Sequence, residues 1–102
     1  MPRVRIVWSP EAKADLQSVR RYIARDAPRA ATALKNRILA SVQRLKDFPE
    51  LGALAPEFDD GITREIQVGV YRILYRFSRS TVRILAVHHG ARLLGEDDLP
   101  PE

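Results

Sequence analysis

Cysteine is absent from the 102 residues, which removes disulfides, thiolate nucleophiles and cysteine-based zinc sites and fits a reducing compartment. No stretch approaches the roughly 18 consecutive apolar residues of a membrane helix. Met1-Pro2-Arg3-Val4-Arg5 runs directly into an alternating pattern, without the roughly 7–15-residue apolar stretch of a signal peptide. A soluble cytoplasmic protein is therefore expected. The five glycines build no phosphate-cradling loop. Asp59-Asp60 and Asp97-Asp98 are adjacent acids in loop-like sequence, with no histidine or third carboxylate at ligand spacing, so neither a metal site nor a cofactor is expected. Ser78 and Ser80 come with no positioned base that would activate them.

What the chain does have is arginine: 14 of its 17 basic residues, the side chain whose planar fork grips carboxylate and phosphate at two points. The net charge of +4 is laid out in blocks, +8 over residues 1–46, −5 over 47–63, +5 over 64–92 and −4 over the remaining tail. An anionic partner is a fair reading of such a chain, and a solvated arginine-rich surface is the plain alternative. With 45% hydrophobic residues the chain can fill one core. Residues 1–92 read as a single domain, followed by an acidic C-terminal tail over 93–102 whose Gly95 and Pro100-Pro101 suggest little order in isolation.

Val4, Ile6 and Trp8 alternate with Arg3, Arg5 and Val7, as in a half-buried strand. Ser9-Pro10-Glu11 then supplies a side-chain cap, a first-turn proline and a carboxylate at the positive end of the helix dipole. Ala12, Leu16, Val19 and Ile23 share one face of the helix that follows. Asp26-Ala27-Pro28 stops it and starts a second, whose apolar stripe is Ala31, Leu34, Ile38, Val42 and Leu45 and which Phe48-Pro49 closes. The joint is short enough to make the helices antiparallel neighbours. Residues 49–62 read as a loop, and Arg64 to Val68, Tyr71 to Phe77 and Thr81 to His89 read as strands in successive hairpins. The fold class is thus α+β, in the order β-α-α-β-β-β: a small antiparallel meander with an N-terminal helical hairpin on one face. On the central strand Tyr71, Ile73, Tyr75 and Phe77 share the face assigned to the helices, leaving Arg72, Leu74 and Arg76 on a face free to bind something.

Several segments resemble a known family. Trp8-Ser9-Pro10-Glu11-Ala12 followed by Asp15-Leu16, then Tyr22-Ile23-Ala24-Arg25-Asp26-Ala27-Pro28-Arg29-Ala30-Ala31 and Leu45-Lys46-Asp47-Phe48-Pro49-Glu50-Leu51-Gly52 resemble the helical half of ParE-type toxins of the RelE/ParE superfamily. Arg64-Glu65, Val68-Gly69-Val70-Tyr71-Arg72-Ile73-Leu74-Tyr75-Arg76 and Ile84-Leu85-Ala86-Val87-His88-His89-Gly90-Ala91-Arg92 resemble its strand half. The resemblance implies the toxin of a type II toxin–antitoxin system, nearer the ParE branch, silenced in a hetero-oligomer by a cognate ParD-like antitoxin. It also implies DNA gyrase as a target that is poisoned without catalysis. Arg64, Arg72, Leu74, Arg76, Arg83 and Arg92 are then the residues that meet target or antitoxin.

The alternative within the superfamily is a RelE-like, metal-free, ribosome-dependent messenger endoribonuclease. That chemistry needs a base, an acid and cations around the phosphate. Its candidates are Arg72, Arg92, His88 and His89; as strand neighbours the two histidines face opposite sides, so one of them at most serves a given site. The lysines that the RelE pattern places before its Tyr-Arg are missing, since the stretch reads Arg64-Glu65-Ile66-Gln67-Val68-Gly69, and Leu93 stands where an aromatic is expected after the last arginine. A non-toxic nucleic-acid-binding module, using Arg3, Arg5, Arg72, Arg76 and Arg83, is a further alternative. It is disfavoured because its stacking aromatics are assigned to the buried face, so direct nucleic-acid binding is not expected.

Overall fold

Ser9 acts at two places at once. In the computed structural model, which describes residues 3–90, strand β1 (Arg5–Trp8) passes directly into helix α1 (Pro10–Ala24). The Ser9 hydroxyl accepts from the Ala12 amide at 3.0 Å and donates to the Leu85 carbonyl at 3.2 Å, capping the helix and tying its start to the sheet. Helix α2 (Pro28–Gln43) starts at its proline without a side-chain cap and ends in a 3-10 turn, Arg44–Lys46, that carries Leu45 into the core. Antiparallel strands β3 (Arg64–Val68), β4 (Tyr71–Ser78) and β5 (Thr81–His89) form the meander. The predicted element order holds.

Two features depart from the sequence reading. Strand β1 pairs with β5 in parallel, Arg5 beside Thr81 through Trp8 beside Ile84, so the sheet is mixed rather than wholly antiparallel. Two antiparallel hairpins make β3 and β5 run the same way, and β1 joins the outer edge of β5 in that same direction. Within the segment read as a loop, Ala53–Leu54 forms a two-residue strand, β2, antiparallel to β3; a stretch so short shows no alternation to read. The resulting sheet has the order β1-β5-β4-β3-β2.

The helix-side core joins Ala12, Leu16, Ile38, Val42 and Leu45 to Ile73, Tyr75, Val82, Ile84 and Val87. Each fully buried large side chain contributes about 1.5–3 kcal/mol relative to exposure. Ile84 and Val87 are three apart, and strict alternation would set them on opposite faces. A bulge opposite Leu74 and Tyr75 adds Leu85 to β5 and reverses the alternation beyond it. Tyr75 is fully buried, with its hydroxyl accepting from the Gly52 amide at 2.8 Å. A β-carbon on Gly52 would lie 2.5 Å from the Glu65 carbonyl oxygen and 2.8 Å from the Tyr75 hydroxyl, so only glycine fits there.

Candidate functional site

The face of β4 left open by the sequence reading is half closed by the chain itself. Leu74 and Ala86 pack with Ala55 and Phe58 in a second apolar cluster, and Leu74 has no exposed surface. This corrects the expectation that Leu74 meets a partner: the segment read as a loop turns over the sheet and buries it.

Arg72, expected to be a contact residue, is only 6% exposed. Its Nε donates to Glu65 and its Nη1 to Glu57, while Nη2 reaches the second Glu57 oxygen at 2.9 Å. The hydrogen bonds from Arg72 hold the Glu57 carboxyl below its usual range against the opposing effect of burial. The same bonds, with Glu57 first, raise Arg72 further above its already high value.

One pleat along, Asp60 organises the loop's return. Its Oδ1 accepts from the Ile62 and Thr63 amides at 2.9 and 2.8 Å, and its Oδ2 accepts from the Thr63 hydroxyl at 2.6 Å. Partial burial works against ionisation, but these bonds and the nearby Arg76 outweigh it and bring the carboxyl down to about 2. Arg76 donates from Nε to the Thr63 hydroxyl at 3.0 Å and lies 3.4 Å from Asp60 through Nη2. The acidic block at 47–63 was visible in the sequence, but its pairing with Arg72 and Arg76 was not.

The remaining predicted arginines separate. Arg64 donates to the Gly52 carbonyl at 2.7 Å and the Glu50 carbonyl at 3.3 Å, which holds the segment entering β2. Arg83 is exposed and sits directly across from Arg76 in the ladder. With Ser78, Arg79 and Thr81 these two line an open depression of about 530 Å³ at the β4–β5 turn. Arg79 and Ser80 in that turn have φ of 51° and 61°. Arg92 and the acidic tail lie outside the described residues.

The histidines face opposite ways, as expected. His88 is the register partner of Arg72. Its Nε2 is buried without a hydrogen-bond partner among the described residues, 4.0 Å from an Asp15 oxygen that accepts from the Val87 amide at 3.1 Å. His89 lies edge-on to Tyr71, ring centres 5.7 Å apart. The structure therefore brings Arg72 and His88 together in register and leaves His89 on the other side.

A second concavity, on the helix side, escaped the sequence reading. Trp8, Lys13, Leu16, Gln17, Arg20, Lys35 and Leu39 line a groove of about 330 Å³ beside β1, which is an edge strand. Its apolar members lie on three elements, β1, α1 and α2, so no single periodicity announces it.

The family model described as the ParE toxin of the type II toxin–antitoxin system parDE matches residues 6–94. Toxin RelE2 of Caulobacter vibrioides is 35% identical over 89 residues, covering 86% of this chain and 97% of the relative. The chromosomal ParDE toxin–antitoxin system of P. aeruginosa contains a chain that superposes with a TM-score of 0.72 at 19% identity, covering 84% of this chain and 95% of the other. The toxin–antitoxin complex RelBE2 of Mycobacterium tuberculosis contains another, with a TM-score of 0.61 at 24% identity, covering 86% and 99%. A strand-edged sheet bearing a capped helical hairpin, matched along most of its length to ParE and RelE toxins, belongs to the RelE/ParE superfamily of type II toxin–antitoxin toxins.

Proposed function

We propose that residues 1–92 form a cytoplasmic toxin domain that inhibits DNA gyrase without catalysis and is silenced by a cognate ParD-like antitoxin. The observation that carries the non-catalytic reading is the state of Arg72. A ribonuclease would aim this guanidinium at the phosphate, whereas here three of its nitrogens donate to Glu57 and Glu65 in a nearly closed setting. Freeing it would break a buried pair, at about 3–5 kcal/mol. The helix-side groove supports the antitoxin: its apolar floor is rimmed by Lys13, Arg20 and Lys35, which suits an acidic amphipathic segment that folds on binding.

The deciding experiment is supercoiling of plasmid DNA by purified gyrase with the toxin added. Inhibition with cleaved DNA trapped on gyrase is the expected result, and folded toxin without effect on gyrase overturns the reading. A second reading, ribosome-dependent messenger cleavage, is favoured by the relative named RelE2 and by the register that sets His88 beside Arg72. It predicts that Arg72→Ala and His88→Ala each abolish messenger cleavage on translating ribosomes.

A further inference from the structure

Three choices at the β4–β5 end run against the stability of the hairpin. Arg76 and Arg83 stand directly opposite each other in the ladder, where like charges destabilise a sheet; Asp60, 3.4 Å from Arg76, offsets part of that repulsion. The two turn residues, Arg79 and Ser80, both take the positive φ for which such turns favour Asn-Gly, and a bulky side chain there carries backbone strain. The register also adds a third strand: Arg5 on β1 pairs with Thr81, and Val7 with Arg83, so exposed Arg5 shares the face that carries Arg83 and Arg76. Among the described residues neither Arg79 nor Arg83 has a carboxylate within ion-pair distance. Local rules broken together at one place point to function or strain rather than to the scaffold.

We infer that Arg5, Arg76, Arg79 and Arg83, with the Ser78 and Thr81 hydroxyls, form a binding site for the phosphodiester backbone of duplex DNA. The lining of the depression is arginine and hydroxyl throughout, the donor set that phosphate oxygens accept from. The five lining residues include no aromatic or large aliphatic side chain on which an acidic protein segment could anchor. Single-stranded nucleic acid would need a stacking platform. Tyr75 is fully buried, Tyr71 and Phe77 pack on the helix side, and Phe58 packs with Leu74 and Ala86, so no ring lines the depression. A duplex backbone needs no stacking ring, and neighbouring strands about 4.8 Å apart spread the guanidinium groups along it.

This site deepens the gyrase reading, since a poison that holds gyrase on cleaved DNA works where duplex is at hand. Its test contains no gyrase, so the two can fail separately. The probe is a fluorescent mixed-sequence duplex of about 20 base pairs, titrated with the full chain by anisotropy between about 50 and 200 mM salt. The affinity is expected to fall steeply with salt. The double variant Arg79→Ala/Arg83→Ala should weaken binding about tenfold per arginine near 0.1 M salt and flatten the log–log slope by about 2. Arg5→Ala, on a separate strand, should flatten it by about 1, and Arg20→Ala in the helix-side groove should leave it unchanged. Circular dichroism and thermal unfolding confirm that the exposed-site variants are folded. No salt-dependent binding, or a slope untouched by the double variant and Arg5→Ala, overturns the inference. Tighter binding of a single strand, or of polyglutamate at equal charge, also overturns it and assigns the site to that ligand.

Discussion

Two arginine sites of the meander differ in what faces them. At one end Arg72 is matched by Glu57 and Glu65 and covered by the segment that buries Leu74. At the other, Arg83 is exposed opposite Arg76, whose carboxylate neighbour Asp60 stands at 3.4 Å. The same residue type on the same face is structural in the first place and presented to solvent in the second. Exposure and the number of carboxylates facing each guanidinium separate the two, and sequence position does not.

The largest test of this contrast is Arg72→Ala, which leaves two partly buried glutamates facing each other. A loss of about 3–5 kcal/mol is expected in urea unfolding. Arg83→Ala should stay within about 0.5 kcal/mol of the parent, because it removes an exposed charge that faces another cation. Equal losses at both positions would erase the distinction.

Next comes Gly52→Ala, at the entry to the covering segment. The added methyl must displace the Glu65 carbonyl or the Tyr75 ring, for about 1–3 kcal/mol. Urea unfolding reads it, and a neutral result would mean that the segment is less fixed than its contacts indicate.

Asp60 sits on the border between the two ends and gives a pH signature. Its folded-state value of about 2 lies below the ordinary 3.8, so its contribution is fully present above about pH 4 and is lost as the pH falls toward 2. Screening at this partly exposed site limits the effect to about 1 kcal/mol. The difference in stability between the parent and Asp60→Asn should shrink over that range, and an unchanged difference would remove Asp60 from the account.

The smallest expected effect has the opposite sign. Replacing Arg79-Ser80 by Asn-Gly relieves the two positive φ angles and should raise stability by about 0.5–1 kcal/mol while weakening duplex binding. A gain in stability with unchanged duplex affinity would leave the turn strained for some other reason.

Much of the scaffold was legible. Ser9, Pro10 and Pro28 announced the helix starts, and the apolar stripes gave the faces of α1 and α2 that reach the core. What stayed hidden depends on contacts between distant residues. Ala53–Leu54 is a strand only because β3 offers an edge to it. Leu85 breaks the alternation of β5 through a bulge that no residue type signals. The site was misread for the same reason: Leu74 and Arg72 alternate as surface residues should, and only the return of residues 55–63 over the sheet covers them. Opposite charge in the 47–63 block hinted at that closure, but composition does not say which acid meets which arginine.

Trp8, the single tryptophan, lines the helix-side groove and is half-buried at the end of the edge strand. Its indole is thus a native optical probe at that location, with no second tryptophan to dilute the signal. Any segment that seats in the groove drives water from the ring, and the emission should move toward shorter wavelength. Occupancy of the groove can be followed in unlabelled protein, separately from whatever the arginines on the far side of the sheet are holding.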